Sequence, residues 1–326
     1  MEPDTGGSVT RRGFLQAGLA TAAAGALACR RDRTPARNPA KAPVAIIRAS
    51  SYRADLVDCL MRGAAACGLQ ARGQRVLLKP NLVECERGAA IHTQAEVLAA
   101  AVELFERLGA AEVRIGEGPG HRRDALFLAE EAGYRTEIRG FEARFTDLNR
   151  DDVARVAPFA GTDGIFLSRT ALAADLVVSV ARMKTHHWAG ATLSMKNLFG
   201  VVPGALYGWP KNHLHQVGIG RAVAELYRIF PRAFAIVDGI VGMEGNGPIQ
   251  GRPRPAGVLV MGHDLAATDA TACRVMGIDP DKIEYLRLVA PRAPVGERQI
   301  EQRGESVASV RTPFALIPEF QHVRLA

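Results

Sequence analysis

Short apolar runs bounded by glycine or proline alternate with helical patterns along most of this 326-residue chain, and this alternation constrains the fold most. A short continuous apolar run indicates a strand that is buried on both faces. Strands that are separated by helices pair in parallel, because each crossover helix covers the sheet. The pattern therefore predicts an α/β fold with a mixed, mostly parallel sheet and helices on both faces.

The boundaries of these elements follow from the same pattern. Thr93 followed by Glu96 has the spacing of a capping box, which predicts the start of a helix. Asp264 is expected to be an N-cap, and Asp269 a charge on the surface of the helix that follows. The predicted strands are Val44–Ile47, Arg75–Leu78, Glu112–Ile115, Leu176–Val180, Ala233–Val237 and Gly257–Met261. The predicted helices cover Arg53–Cys67, a segment that ends at Gly109, and about Asp264 to Met276.

Residues 1–28 have the pattern of an export signal. The adjacent pair Arg11-Arg12 precedes a weakly apolar stretch, Gly18–Ala28, which is too short to span a bilayer. The pattern predicts a twin-arginine signal peptide, the twin-arginine translocase as a partner during export, and a protein located in the periplasm or cell envelope. An amphipathic N-terminal helix is the alternative interpretation.

Cys29 directly follows the predicted cleavage point, so a lipid anchor at this residue is an alternative to ordinary cleavage. The match to a lipobox is poor, because Ala26 stands where leucine is usual. Residues 29–42 contain two prolines and several arginines, which predicts an extended linker. Residues 43–326 are expected to form a single α/β domain.

Charge and cysteine content limit the functional classes. The net charge is +7, of which the linker carries +4, so the body carries only +3 and has no basic stripe. We therefore expect no nucleic-acid partner. The five cysteines form no C-x-x-C motif, so this chain alone is not expected to hold an iron–sulfur cluster, and any other cofactor is unknown.

Lysine is scarce, with six lysines among the 41 basic residues, yet three of them lie within residues 182–215. Four of the eight histidines lie there too. A loop rich in lysine, histidine and asparagine offers hydrogen-bond donors to an anionic ligand. Imidazoles also bind metals or move protons, and His213 and His215, on one side of an extended chain, are the candidate metal ligands. A third interpretation is that these residues only hold a long loop together.

Polar residues also follow several of the predicted strands, where ligands of parallel sheets are usually bound. The spacing of Gly116–Gly120 indicates a tight turn that presents Glu117, not a dinucleotide site, since an acidic side chain would repel a pyrophosphate. The candidate catalytic residues are Lys184, His186, Glu117 and Asp238. The candidate ligand-binding residues are Lys79, Asn81, Lys196 and Asn197.

Taken together, these segments resemble the family called domain of unknown function 362, over about residues 44–280. The resemblance implies the domain and the position of the site, but no reaction. Members of that family often carry a ferredoxin-like module, whose cysteines this chain lacks. The matching stretches are Lys79-Pro80-Asn81-Leu82-Val83, Gly116-Glu117-Gly118, Lys184-Thr185-His186, Lys196-Asn197-Leu198-Phe199-Gly200, Val237-Asp238-Gly239, Gly245-x-Gly247-Pro248 and Gly262-x-Asp264.

Three functions fit these features. The first is an enzyme that acts on a small anionic substrate at a cleft of Lys, His, Asp and Glu side chains. The second is a non-catalytic accessory protein that binds a metal or an anion. The third is a redox-associated protein that uses an external cofactor. Titratable residues of both signs at several strand ends favour the enzyme.

The export signal can be tested by replacing both Arg11 and Arg12 with lysine. We expect the protein to remain on the cytoplasmic side, because the translocase requires the arginine pair. The measurement is fractionation of cells that express the wild-type and variant chains. Undiminished transfer of the variant across the membrane would show that the arginine pair is not an export signal.

Overall fold

The computed structural model describes residues 41–84, 86, 88–120, 124–209 and 211–326. The predicted signal peptide, Cys29 and nearly all of the predicted linker lie outside the described residues. Residues Lys41–Ala326 form one compact unit. No helix in this described part is both long and apolar enough to cross a bilayer.

The strands of the described chain are β1 (Ala42–Arg48), β2 (Arg75–Lys79), β3 (Glu112–Glu117), β4 (Phe145–Asp147), β5 (Val153–Val156), β6 (Ile165–Ser168), β7 (Leu176–His186), β8 (Gly190–Thr192), β9 (Ala233–Asn246), β10 (Gln250–Gly262) and β11 (Ile300–Gly304). The centre of the unit is a nine-stranded sheet with the order β11-β1-β10-β9-β7-β2-β3-β4, in which β8 pairs with β7. A separate two-stranded sheet is formed by β5 and β6.

The prediction of a mixed, mostly parallel sheet is confirmed. Strand β2 runs parallel to β3 and β7, and β7 runs parallel to β9. Strand β10 runs antiparallel to both β9 and β1. The reason is that β9 and β10 are joined by a short connection, which reverses the chain without a crossover helix. Both strands extend well beyond the apolar runs from which they were predicted.

Helices cover both faces of the sheet, and each face has its own apolar core. On one face, α1 and α2 pack against residues such as Leu78, Val178 and Ile236. On the other face, α10 and α11 pack against residues such as Leu77 and Val237. The helices are α1 (Leu56–Cys67), α2 (Ala95–Arg107), α3 (Ala125–Glu131), α4 (Tyr134–Glu137), α5 (Phe141–Arg144), α6 (Arg169–Ala173), α7 (Ser194–Asn197), α8 (Gly204–Tyr207), α9 (Asn212–Gln216), α10 (Ile219–Ile229), α11 (Leu265–Val275), α12 (Glu284–Val289) and α13 (Val307–Val310).

The ends of two predicted helices are explained by their caps. Helix α1 ends at Gly68, which has a left-handed φ of 68° that glycine adopts without strain. The side chain of Asp264 accepts a hydrogen bond from the backbone N–H of Ala267, so its predicted role as the N-cap of α11 is confirmed.

The predicted capping box at Thr93 is wrong. The N-cap of α2 is Gln94, and this residue makes no side-chain capping bond. The Thr93 hydroxyl instead donates to the carbonyl of Val180 at 2.5 Å and accepts from the backbone N–H of Asn81 at 2.8 Å. Thr93 therefore ties the chain after β2 to β7, close to the place where the predicted site residues lie.

Replacing Thr93 with valine tests this tie. The buried N–H of Asn81 and the carbonyl of Val180 would both lose a partner, so we expect the free energy of unfolding to fall by about 2 kcal/mol. Thr93→Ser keeps the hydroxyl and should cost about 1 kcal/mol or less. Urea unfolding gives both values, and equal losses in the two variants would contradict the assignment.

Candidate active site

A cavity of about 250 Å³ opens at the carboxyl ends of β2, β3 and β7. These strands are adjacent and parallel, so the residues at their ends meet at one edge of the sheet. Eight of the ten residues proposed from the sequence line this cavity, namely Lys79, Asn81, Glu117, Lys184, His186, Lys196, Asn197 and His215. The structure places Asp238 and His213 elsewhere.

Lys184 and His186 lie in a strand, not in the loop expected from their polarity. Strand β7 continues to His186 and returns through a tight turn as β8, in which Thr192 pairs with Lys184. Alternate residues of a strand point to the same face, and both side chains line the cavity. A polar strand end is stable here because the carbonyl of Ile91 accepts a hydrogen bond from Lys184, and two backbone N–H groups of the turn donate to His186.

A buried ion pair forms the floor of the cavity. The Lys79 Nζ atom lies 2.9 and 2.8 Å from the two carboxylate oxygens of Glu117. The carboxylate also accepts the backbone N–H groups of Leu82 and Gly118, so each of its oxygens has two donors. Asn197 completes the network by accepting from Lys79 Nζ and donating to the Lys79 carbonyl. Glu117 thus neutralises Lys79 and has no free oxygen on the cavity side.

Gly200 explains why the chain can pass so close to this pair. A Cβ atom at this position would collide with the Glu117 carboxylate and lie 2.5 Å from Lys79 Nζ. Because glycine has no Cβ, the turn at Leu198–Val201 packs directly over the ion pair. The role of Gly200 is therefore to let the backbone pack closely against the ion pair.

Three more lysines face the cavity, and within the described ranges none of them forms an ion pair with a carboxylate. Lys184 donates to the carbonyl of Ile91 at 2.9 Å. Lys211 donates to the carbonyls of Gly118 and Phe199 at 2.7 and 3.0 Å. Lys196 Nζ lies 4.2 Å from the centre of the Phe199 ring, and no hydrogen bond joins it to another described residue.

Burial and mutual repulsion destabilise the charged forms of these lysines. Burial is the main cause that lowers the pKa of Lys211 to about 7 and of Lys196 to about 8. Burial also moves the pKa of Lys184 well below its ordinary value, and the charges of Arg182 and Lys196 lower it further. A bound anion would reverse these effects, since it would stabilise each ammonium form.

Two adjacent histidines at the cavity differ in their hydrogen bonds to the backbone. His186 Nδ1 accepts the backbone N–H groups of Trp188 and Ala189, and burial lowers its pKa, so the ring is neutral with its proton on Nε2. His187 Nδ1 lies 2.7 Å from the carbonyl of Gly247 and donates to it, so in the neutral form of this ring the lone pair is on Nε2. His186 is thus a donor through Nε2, and the neutral form of His187 is an acceptor through Nε2, with ring centres 5.0 Å apart.

Asp238 does not share the cavity. It lies on the face of the sheet that carries Ile236 and Ile240, whereas Lys79 shares the opposite face with Leu77. The carboxylate accepts the hydroxyl of Tyr52 at 3.1 Å and forms a buried ion pair with Arg182 at 3.1 Å. Burial raises its pKa. A strand end alone did not reveal to which face this residue points.

The geometry expected for the two candidate metal ligands is wrong. His213 and His215 lie in α9, where residues two positions apart point to opposite sides. His213 stacks on Tyr207 with ring centres 5.2 Å apart, whereas His215 faces Trp188 at the cavity. Among the described residues, no group of three or more His, Cys, Asp or Glu side chains is arranged to hold a metal ion.

Asp269 is buried, contrary to the expectation of a surface charge. Its carboxylate accepts the backbone N–H groups of Ser194 and Met195 and the Ser194 hydroxyl, so it caps α7 from outside that helix. Burial raises its pKa to about 7. Through this cap α11 fixes the helix that carries Lys196 and Asn197.

Sequence reasoning left three cavity residues without a role. His187 and Lys211 lie within residues 182–215, where the clustering of lysine and histidine is the signal that points to them. Thr192 has no such signal, since a threonine near a strand end is common in any sheet.

This chain is similar in sequence to a family model and to a known protein. The family model described as Domain of unknown function (DUF362) matches residues 76–274. A thylakoid-associated protein of Synechocystis is 29% identical over 248 residues, which cover 74% of this chain and 76% of that protein.

Two solved structures are similar at low identity. The lactate racemase apoprotein from Thermoanaerobacterium thermosaccharolyticum has 14% identity and a TM-score of 0.47, with 73% of this chain and 57% of that chain covered. A Thermotoga maritima protein has 12% identity and a TM-score of 0.38, with 70% and 60% covered. The match thus spans less than two thirds of either solved chain.

The buried ion pair can be tested by substitution. Glu117→Gln leaves the Lys79 ammonium buried without a counter-charge and should lower the free energy of unfolding by about 3–5 kcal/mol. Glu112→Gln, in the same strand, removes an exposed ion pair with Arg114 and should cost about 1 kcal/mol or less. Denaturant unfolding measures both.

The double variant Lys79→Met/Glu117→Gln completes the test. It should lose less stability than the sum of the two single variants, because neither charge is then left alone. Additive losses, or equal losses for Glu117→Gln and Glu112→Gln, would contradict the assigned pair.

Proposed function

The chain belongs to the family of domain of unknown function 362, and we propose that its cavity binds a small anionic substrate on which the protein acts as an enzyme. One observation carries the proposal. Lys184, Lys196 and Lys211 face the cavity, while the cavity's only carboxylate among the described residues, Glu117, is already paired with Lys79.

The excess of lysines over carboxylates in the cavity favours an anion over a metal ion as the ligand. A lysine ammonium repels a metal cation, whereas it binds carboxylate or phosphate as a point charge. A metal cation placed among these three buried lysines would be opposed by each lysine that carries its charge. An anion would instead supply the counter-charge that the protein lacks there.

The imidazoles supply what an enzyme needs beyond binding. With the anionic group held by the lysines, the neutral His187 ring would accept a proton from the substrate at Nε2, and the electron pair would stay on the substrate. The Nε2–H of His186 and the lysine ammonium groups would stabilise the negative charge that results. The proposed reaction therefore begins with removal of a proton from the bound anion.

A non-catalytic accessory protein that binds an anion is the second candidate. The hydrogen bonds from Lys184 and Lys211 to backbone carbonyls favour it, because they fix these side chains as in a rigid binding site. Exchange of substrate protons with deuterium from solvent separates the two functions. Exchange that depends on His187 supports the enzyme, and tight binding without exchange supports the accessory protein.

We also propose that the protein works in the periplasm or cell envelope after export by the twin-arginine route. The support is the pair Arg11-Arg12 before a weakly apolar stretch. A lipid anchor at Cys29 remains the alternative to ordinary cleavage of the signal, and it would hold the domain at the membrane surface.

The anion site can be tested through the affinity for anions and the uptake of protons on binding. Lys196→Met should weaken the binding of inorganic phosphate or succinate by about tenfold or more, because a charge-assisted contact is lost. An anion raises the pKa of Lys196 from about 8, so the wild-type protein should take up protons on binding at pH 8. Calorimetry in buffers of different ionisation enthalpy measures both quantities.

The control is Lys282→Met, which removes a half-exposed lysine that pairs with Asp279. It should change neither affinity nor proton uptake. Unchanged binding in Lys196→Met would contradict the anion site. So would stoichiometric metal in the wild-type protein that is lost on His213→Ala or His215→Ala.

A further inference from the structure

Two neutral side chains of the cavity wall have polar atoms without a partner. The Oδ1 atom of Asn81 and the Oγ1 atom of Thr192 make no hydrogen bond within the described chain. The residues are 7% and 4% exposed, so bulk solvent does not satisfy these atoms. A buried polar atom without a partner costs about 1–3 kcal/mol. Such atoms at a cavity wall indicate groups that a ligand is to satisfy.

The backbone holds both residues in place. The N–H of Asn81 donates to the Thr93 hydroxyl at 2.8 Å, and its carbonyl accepts from the N–H of Thr93 at 3.0 Å. Thr192 lies in β8, directly opposite Lys184 in the register. The amide of Asn81 and the hydroxyl of Thr192 are therefore presented by fixed elements, one of them beside a buried lysine.

We infer that the ligand carries a neutral hydrogen-bonding group in addition to its anionic group, and that Asn81 and Thr192 bind this group. The inference rests on the proposed function, since the lysines are taken to hold the anionic part. A second anionic group has no proton to donate to the amide oxygen of Asn81. An apolar group would leave both polar atoms without partners.

A hydroxyl is the smallest group that fits. It can donate a hydrogen bond, as the Asn81 oxygen requires, or accept one from the Thr192 hydroxyl. The ligand class is therefore a small hydroxylated acid, in which the anionic group is a carboxylate or a phosphate ester. Both groups bind lysine in the same way, so the test includes one pair of each kind.

The test compares ligands that differ only in hydroxyl content. The probes are succinate with malate, and propyl phosphate with glycerol 3-phosphate, titrated by calorimetry into the folded protein. In at least one pair, the hydroxylated member should bind the wild-type protein about tenfold more tightly. Thr192→Val and Asn81→Leu should reduce this advantage, whereas Thr192→Ser should keep it. Lys196→Met should weaken both members of the pair.

The outcomes separate the inference from the proposed function. Equal binding within both pairs overturns the inference and leaves the anion site standing. An advantage that persists in both Thr192→Val and Asn81→Leu also overturns it. If none of the four probes binds, the proposed function fails and the inference fails with it. Thermal unfolding of each variant shows that a loss of binding is not a loss of the fold.

Discussion

The buried pair of Lys79 and Glu117 is the interaction on which the arrangement of the site depends. It joins the carboxyl ends of β2 and β3 across their shared edge. Asn197 and the turn that contains Gly200 are built directly on it. Because an unpaired charge in such a place is costly, the pair requires both strands to end at the same level. The cavity lies directly above this level.

Above the Lys79–Glu117 pair, the cavity wall carries more lysines than carboxylates. Four of the chain's six lysines line the cavity, and among the described residues only one carboxylate, that of Glu117, lines it with them. The fold tolerates the remaining three because backbone carbonyls and an aromatic ring partly replace water, and because their pKa values are lowered. Burying three lysines without counter-charges lowers the stability of the fold, and such a cost is common where a protein binds a ligand.

The sequence alone indicates much of this architecture. Apolar runs identify the inner strands, and the polar residues after β2 and β3 point to the correct edge of the sheet. The same reasoning fails for Asp238, because the face to which a side chain points depends on strand register, which composition does not reveal.

Other errors share one cause, which is contact between residues distant in the chain. Thr93 and Asp269 were assigned local roles, but their partners lie on β7 and α7. The polarity of Lys184 and His186 is typical of loop residues, but a buried carbonyl accepts from Lys184 and two backbone N–H groups donate to His186, so both can end a strand. Three buried lysines in this cavity lack counter-charges in the described part of the chain, and a lysine titration tests this most directly. With lysines labelled at the side chain and followed by NMR, two signals that Lys196→Met and Lys211→Met remove should titrate near 8 and 7. If every lysine titrates at its ordinary value of about 10.4, the account is contradicted.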